Sequence, residues 1–475
     1  MATDPIQTDY LVVGAGATGM AFSDTLLTET DANIVMVDRH DRPGGHWNDA
    51  YPFVRLHQPA AYYGVNSLPL GQATKDSVGL NAGLLDLASG QEVVAYFDQL
   101  MNQRFLASGR VHYFPMCNAV GDDQFESLLT GERRRIAVRC KVVDATYSDI
   151  AVPSTHLPKY PVAPGVRCMP LNQLPNIRQP QGDFVVVGSG KTGIDACLWL
   201  LQNGVPPAKI RWVMPRDAWL LDRRNVQPGD EFFMAAFGSL ANQFEALVAA
   251  TSVRDLFERL NASGELLRID QRIVPSIYRC ATVTRAELEQ LRRIQGMVRL
   301  GHVLAVETAQ IVLEHGCVPM LPDTLVVDCS ASALRQRPPL PIFDGRRITL
   351  QFVRTCQPTF SAAFIAHVEA TFEDDAEKNA LCTPVPVPYL DTDWLRMLFV
   401  TANNQHRWAQ HPGLDRWLAQ SRLDSFFDSL RKVQPGDTEK VAVVKRYRSA
   451  IKPALVNLEK LLATTVAPGS DGFRS

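Results

Sequence analysis

Six glycines in two triplets carry the first chemical signal of the 475-residue chain. Gly14, Gly16 and Gly19 write GxGxxG directly after the apolar run Tyr10 to Val13 and before a helix-compatible stretch, Met20 to Thr28. Gly188, Gly190 and Gly193 repeat the pattern between Phe184 to Val187 and Ile194 to Asn203. In this strand, turn, helix context the first glycine permits the turn, the second lets the backbone approach a pyrophosphate, and the third packs helix on strand. Free N–H groups at the helix start then receive phosphate charge. Asp38 ends the second strand of the first copy, Asn33 to Val37, where a carboxylate accepts hydrogen bonds from ribose hydroxyls. In the second copy, Ile210 to Val213 is followed by Arg216 before any carboxylate, and a guanidinium there suits a 2′-phosphate. The chain is therefore expected to hold two dinucleotides, FAD at the first triplet and NADPH at the second. Lys191 and Thr192 imitate the end of a GxxxxGK[ST] loop, but Val185 stands where its first glycine belongs, which excludes that ATPase loop.

The elements that position these residues read as an α/β fold with two Rossmann-like units, the second inserted in the first, followed by a helical C-terminal region. The expected boundaries are 1–180 and 320–390 for the FAD-binding unit, 181–319 for the NADPH-binding unit, and 391–475 for the helices. Val111 to Thr146 reads as an antiparallel excursion turning at Gly131, with Arg133, Arg134 and Arg135 at a solvated hairpin end, and Pro153 to Pro180 as a connector. Leu325 to Val327, followed by Cys329, Ser330, Ala331 and Ser332, reads as the return to the first unit. Trp394, Leu398, Trp408, Trp417, Leu418, Phe426, Phe427 and Leu430 are expected to pack as core, and Ala463 to Ser475 to fray. Gln357, Pro358 and Thr359 open a helix through Phe360, Ser361, Phe364 and Val368, with His367 structural. By analogy with two-nucleotide flavoproteins, the N-terminus of that helix faces an anionic flavin ring, which makes Gln357 and Ser361 candidate contacts; an ordinary core helix is the alternative.

Composition narrows the classes. The chain is 46% apolar and 21% charged, and its net charge of −2 provides no field for nucleic acid or an anionic membrane. Nine scattered cysteines without a CxxC argue against a disulfide scaffold, a structural zinc site and the flavin disulfide reductases. His406 and His411, five apart, do not share a helical face, and no metal is expected. No leader segment or run of membrane-spanning length is evident, so a cytoplasmic protein is expected, compatible with a homo-oligomer.

Beyond Asp38, the residues Gly44, Gly45, His46 and Trp47, then Tyr51, Pro52, Arg55 and Tyr63, resemble the class B flavoprotein monooxygenases, whose GGxW and YPxxR segments wall the flavin. The resemblance is close over about the first 70 residues and clear at the second triplet; elsewhere it lies only in the order of elements. It implies that a flavin hydroperoxide, formed from dioxygen after NADPH reduces FAD, transfers oxygen to a small organic substrate. Gly45, His46 and Trp47 would lie beside the flavin, Asn66 would face its reactive edge, and Arg55 and His57 would hold the intermediate and the nicotinamide. The match puts His46 and His57 beside the flavin, where each could donate a proton near neutral pH, with unperturbed values of about 6.5, or serve in packing or substrate contact. The gap from Trp47 to Tyr51 is one residue short, and three further departures argue against Baeyer–Villiger chemistry. His57 occupies the position of an Asp, and Ala145, Thr146 and Tyr147 replace an ATG turn. The FxGxxxH fingerprint is absent from the connector, where Ser154, Thr155, His156 and Tyr160 lie. A flavin oxidoreductase without oxygen insertion, and a redox-sensing or scaffolding flavoprotein, are the alternative functions.

Overall fold

A computed structural model describes residues 4–331 and 335–465; Ser332 and the tail beyond 465 lie outside them. Each glycine triplet follows the central strand of its own parallel sheet. In the first sheet, Ile6–Val13 runs between Ile34–Val37 and Arg133–Asp144, with Val111–Phe114 and Arg347–Thr349 as the next strands outward. In the second, Asp183–Val187 runs between Ile210–Val213 and Thr324–Asp328, flanked by Gly296–Val298 and Arg167–Pro170. The central strands read as continuous apolar runs because helices cover both faces of a parallel sheet, and Leu11, Val12, Val185 and Val186 are all buried.

The two sheets share one bonding plan. Gly14 N–H donates to the Val37 carbonyl at 2.8 Å and Ala145 N–H to Val13 at 2.9 Å; Gly188 donates to Val213 at 3.0 Å and Cys329 to Val187 at 2.8 Å. Asp144 accepts from the N–H and hydroxyl of Thr146, and Asp328 from those of Ser330. Thr324–Asp328 is therefore the counterpart of Arg133–Asp144 and lies inside the second sheet, which corrects the reading of Leu325 to Val327 as the return to the first. A strand buried on both faces has the same apolar pattern in either sheet, so periodicity cannot assign it. Arg167–Pro170, within the stretch read as a connector, is likewise an edge strand of the second sheet. The chain returns to the first sheet at Phe343–Asp344 and Arg347–Thr349.

Helix Pro358–Thr371 packs on helix Ala17–Glu29, and its Phe360 and Phe364 are fully buried. The C-terminal helices Asp391–Trp408, Pro412–Gln420, Ser425–Arg431 and Thr438–Ala463 close over both halves. Trp408 lies 4.3 Å from the Phe364 ring, and Trp394 meets Phe257 and Tyr278 edge-on, so these anchors pack as core. Asp230–Ala249, 20 residues of hydropathy 1.2, does reach membrane-spanning length and composition, contrary to the sequence reading. Its buried residues Phe237, Ala241, Phe244 and Leu247 lie on the side packed against Thr438–Ala463, as in the core helix of a folded domain. A small sheet of Ala218–Asp222, Leu266–Leu267 and Ile277–Val283 adjoins the second unit. From its last strand Cys280 forms a disulfide with Cys356, 76 residues away, a pairing that cysteine spacing did not suggest.

Candidate functional site

Both glycine turns have the tight backbone that their GxGxxG spacing predicts. Gly14 and Gly188 have φ of 101° and 124°, a region that favours glycine. A methyl group on Gly19 would overlap the Gly14 carbonyl oxygen, and one on Gly193 that of Gly188, so each third glycine lets its helix sit on its turn. Gly190 has open space on the side where a Cβ would project. In the first cradle the corresponding space borders Gly45, whose segment is tied down by the bond from Gly44 N–H to the Ala15 carbonyl at 2.9 Å.

Asp38 is buried at the end of its strand and accepts from Ala15 N–H at 2.6 Å and His40 N–H at 2.8 Å. Oδ1 is shared by the His40 N–H and ring, while Oδ2, bonded only to Ala15 N–H, keeps a lone pair with which a ribose hydroxyl is compatible. The His40 ring lies between Asp38 (2.9 Å) and Asp49 (2.8 Å), and the hydrogen bond to Asp38 pushes its pKa up. Sequence reasoning missed this histidine, although its position two residues after the strand-end Asp was the available signal. Trp47 donates to the Tyr63 hydroxyl at 2.8 Å and meets that ring edge-on, which joins the GGxW segment to the Tyr beyond YPxxR.

At the second cradle, Lys191 is the first residue of helix Lys191–Gln202 and pairs with Asp195, which also accepts from the Tyr51 hydroxyl at 2.5 Å. The YPxxR segment thus rests on the helix that follows the second glycine turn. Arg55 lines a cavity of about 410 Å³ with Lys191, Asp195 and Arg223, and Arg223 donates to the His57 carbonyl at 3.2 Å. The structure therefore brings Arg55 and His57 beside the helix that follows the second glycine turn. Asn66 goes elsewhere: its carboxamide oxygen accepts from the Ser421 hydroxyl at 2.9 Å, next to Arg422, which donates to the carbonyls of Ala61, Tyr63 and Val65.

Burial lowers His57 to about 3, with Lys191 and Arg223 adding to the effect, and lowers His46 to about 4. Both rings are neutral at pH 7, which corrects their reading as titrating acids near neutrality. His57 Nδ1 is buried without a hydrogen-bond partner, as is Oε1 of Gln357, which caps helix Pro358–Thr371. Ser361 braces that turn, donating to the Gln357 carbonyl at 2.7 Å and accepting from Val353 N–H at 3.1 Å. A folded-state pKa below the unfolded value gives a stability contribution that is present above about pH 6.5 and lost as pH falls through the folded value. Acid unfolding of the cofactor-free protein should therefore steepen below pH 6.5 by up to about 1.4 kcal/mol per pH unit for His57, and His57→Gln should remove that increment. An identical profile for the variant would contradict the assignment.

Arg216 donates to the Tyr389 hydroxyl with its guanidinium 4.9 Å from that ring, and Arg279 covers the same ring at 4.4 Å. Asp217, the first carboxylate after the strand, is buried and held by Arg299 at 2.7 and 3.0 Å.

Comparison with known proteins agrees with this architecture. Residues 12–68 match the NAD(P)-binding Rossmann-like domain family. Uncharacterized proteins of Mycobacterium tuberculosis and Mycobacterium bovis are 51% identical over 462 residues, covering 97% of this chain and 86% of each relative. Among solved structures, the polycyclic ketone monooxygenase of Thermothelomyces thermophila is 12% identical, with 98% of this chain and 89% of that chain covered and a TM-score of 0.52. Cyclohexanone monooxygenase bound to cyclohexanone is 13% identical, with 79% and 88% covered and a TM-score of 0.50. The fold is shared with these enzymes.

Proposed function

The chain belongs to the same family as the uncharacterized mycobacterial proteins, and we propose that it is an NADPH-dependent FAD monooxygenase acting on a small organic substrate. The observation that carries this reading is the pair of glycine turns built to one plan, with the YPxxR segment resting on the helix that follows the second. The residues fit two dinucleotides: the Gly190 side of its turn is open, and His57 Nδ1 and Gln357 Oε1 are buried polar atoms without partners. FAD would be held by Gly14, Gly16, Gly19 and Asp38, by Gly45, His46 and Trp47, and by the helix start at Gln357 and Ser361. NADPH would be held by Gly188, Gly190, Gly193 and Arg216. Bound FAD supplies acceptance of a hydride and reaction with dioxygen. The chain's part is to orient the two dinucleotides and exclude water. Neutral His57 offers hydrogen bonds without titrating, Arg55 supplies a fixed positive charge beside it, and Asn66 couples the nearby loop to the C-terminal turn.

The test is anaerobic reduction of the purified yellow protein by NADPH, followed by turnover of small ketones, sulfides and amines under labelled dioxygen. Label in a product supports oxygen insertion. Flavin reduction with only hydrogen peroxide formed from every substrate favours an oxidoreductase without insertion, and protein purified without flavin would overturn both. Arg216→Ala is expected to raise the KM for NADPH at least tenfold, about 1.4 kcal/mol, while leaving that for NADH within twofold. Equal effects on both cofactors would remove the 2′-phosphate role.

A further inference from the structure

We propose that Cys280 and Cys356 form a redox modification site, a disulfide clasp whose oxidation state sets how tightly the second dinucleotide is held. The bond ties strand Ile277–Val283 of the small sheet to the segment that leads into helix Pro358–Thr371. Both cysteines have left-handed backbone, φ 54° and 50°, two of only five such non-glycine residues among those described. A residue with a Cβ persists there when its surroundings constrain it, and sites of this kind cluster at switches. The other seven cysteines are unpaired, the exposed Cys140 and Cys317 among them.

The position of the clasp gives it a function. Cys280 follows Arg279, which shares the Tyr389 ring with Arg216, and Tyr278 N–H donates to the Tyr389 carbonyl at 3.1 Å. On the other side, Cys356 precedes Gln357, the cap of the helix facing the first cofactor. A dithiol reduces the bond by exchange. One thiolate attacks the half-buried Cys356 sulfur, Cys280 leaves as a thiolate, and the second thiol of the reductant resolves the mixed disulfide. Two electrons and two protons pass to the protein, and the reductant ends as a disulfide. Freed of the bond, both cysteines relax from left-handed backbone and the Arg279–Tyr389–Arg216 cluster loosens. This effect rests on the assignment of NADPH to Arg216.

The flavin-loaded protein would be equilibrated with oxidised glutathione or with dithiothreitol, alkylated and mapped by mass spectrometry, and titrated calorimetrically with NADP⁺ in both states. The expected result is labelling of Cys280 and Cys356 only after dithiothreitol, together with at least about fivefold weaker NADP⁺ binding. Cys280→Ser and Cys356→Ser should each bind NADP⁺ like the reduced protein and ignore dithiothreitol, whereas Cys140→Ser should respond like the unaltered chain. Alkylation of both cysteines in the oxidised protein, or equal affinity in the two states, overturns the clasp. Absence of NADP⁺ binding in either state overturns the cofactor assignment and the clasp together, an outcome distinct from equal affinity.

Discussion

Gly19→Ala is expected to yield protein without flavin and destabilised by about 3 kcal/mol, whereas Gly190→Ala is expected to fold normally, keep its flavin and fail at NADPH. Alanine at 19 drives its methyl into the Gly14 carbonyl oxygen, a backbone atom fixed by the turn, so either the helix or the cradle must shift. At Gly190 the φ of −83° suits alanine and no atom lies within 4 Å of the added carbon, so the only thing displaced is a ligand. Flavin-to-protein ratio, thermal midpoint and an NADPH titration read the contrast. A flavin-replete Gly19→Ala protein of unchanged midpoint, or unimpaired NADPH reduction in Gly190→Ala, would remove the cradle from the account.

Asp424→Ala is expected to cost about 3–5 kcal/mol, because it strands the guanidinium of Arg354. That pair is among the most buried in the protein, with side-chain exposures of 6% and 2%, and Arg354 lies 3.2 Å from the centre of the Phe360 ring. Burial already pulls the Arg354 pKa below the usual arginine value, and Asp424 opposes that pull. Arg431, the second partner of Asp424 at 2.6 Å, is nearer the surface and can turn to water. The double variant Arg354→Met/Asp424→Leu should recover most of the loss, since apolar replacement of a buried pair is often neutral while halving one is not. Urea unfolding measures all three proteins, and a double variant no more stable than Asp424→Ala would contradict the stranded-charge explanation.

What the sequence revealed was set by local rules. The glycine triplets were legible because turn, close approach and helix packing each demand a residue without a side chain at fixed intervals, and Asp38 because a strand end places it. Sheet membership was not, since Val326 is as apolar and as buried in the second sheet as it would be in the first. A signal did exist in the parallel between Asp144, Ala145, Thr146 and Asp328, Cys329, Ser330, which share a side-chain turn. Asn66 was chosen by resemblance, but its partners come from Ser421 and Leu423, more than 350 residues away. The Arg354 pair with Asp424 and the Cys280 bond are likewise meetings of distant segments that no window of sequence brings together. Titration behaviour was hidden for the same reason: the burial that neutralises His46 and His57 comes from the assembled halves.

The inserted topology also dictates an order in time. A ribosome releases Ile6–Val13 first, yet that strand's sheet lacks its Arg347–Thr349 member until nearly three quarters of the chain has emerged. The second sheet is completed earlier, by Asp328, and can close while translation continues. The loop at 61–65 waits longest, because the guanidinium that gathers its carbonyls belongs to Arg422. The unit synthesised first is thus the last to mature, and nascent chains interrupted before residue 422 would be able to recruit the second dinucleotide but not to seal the first.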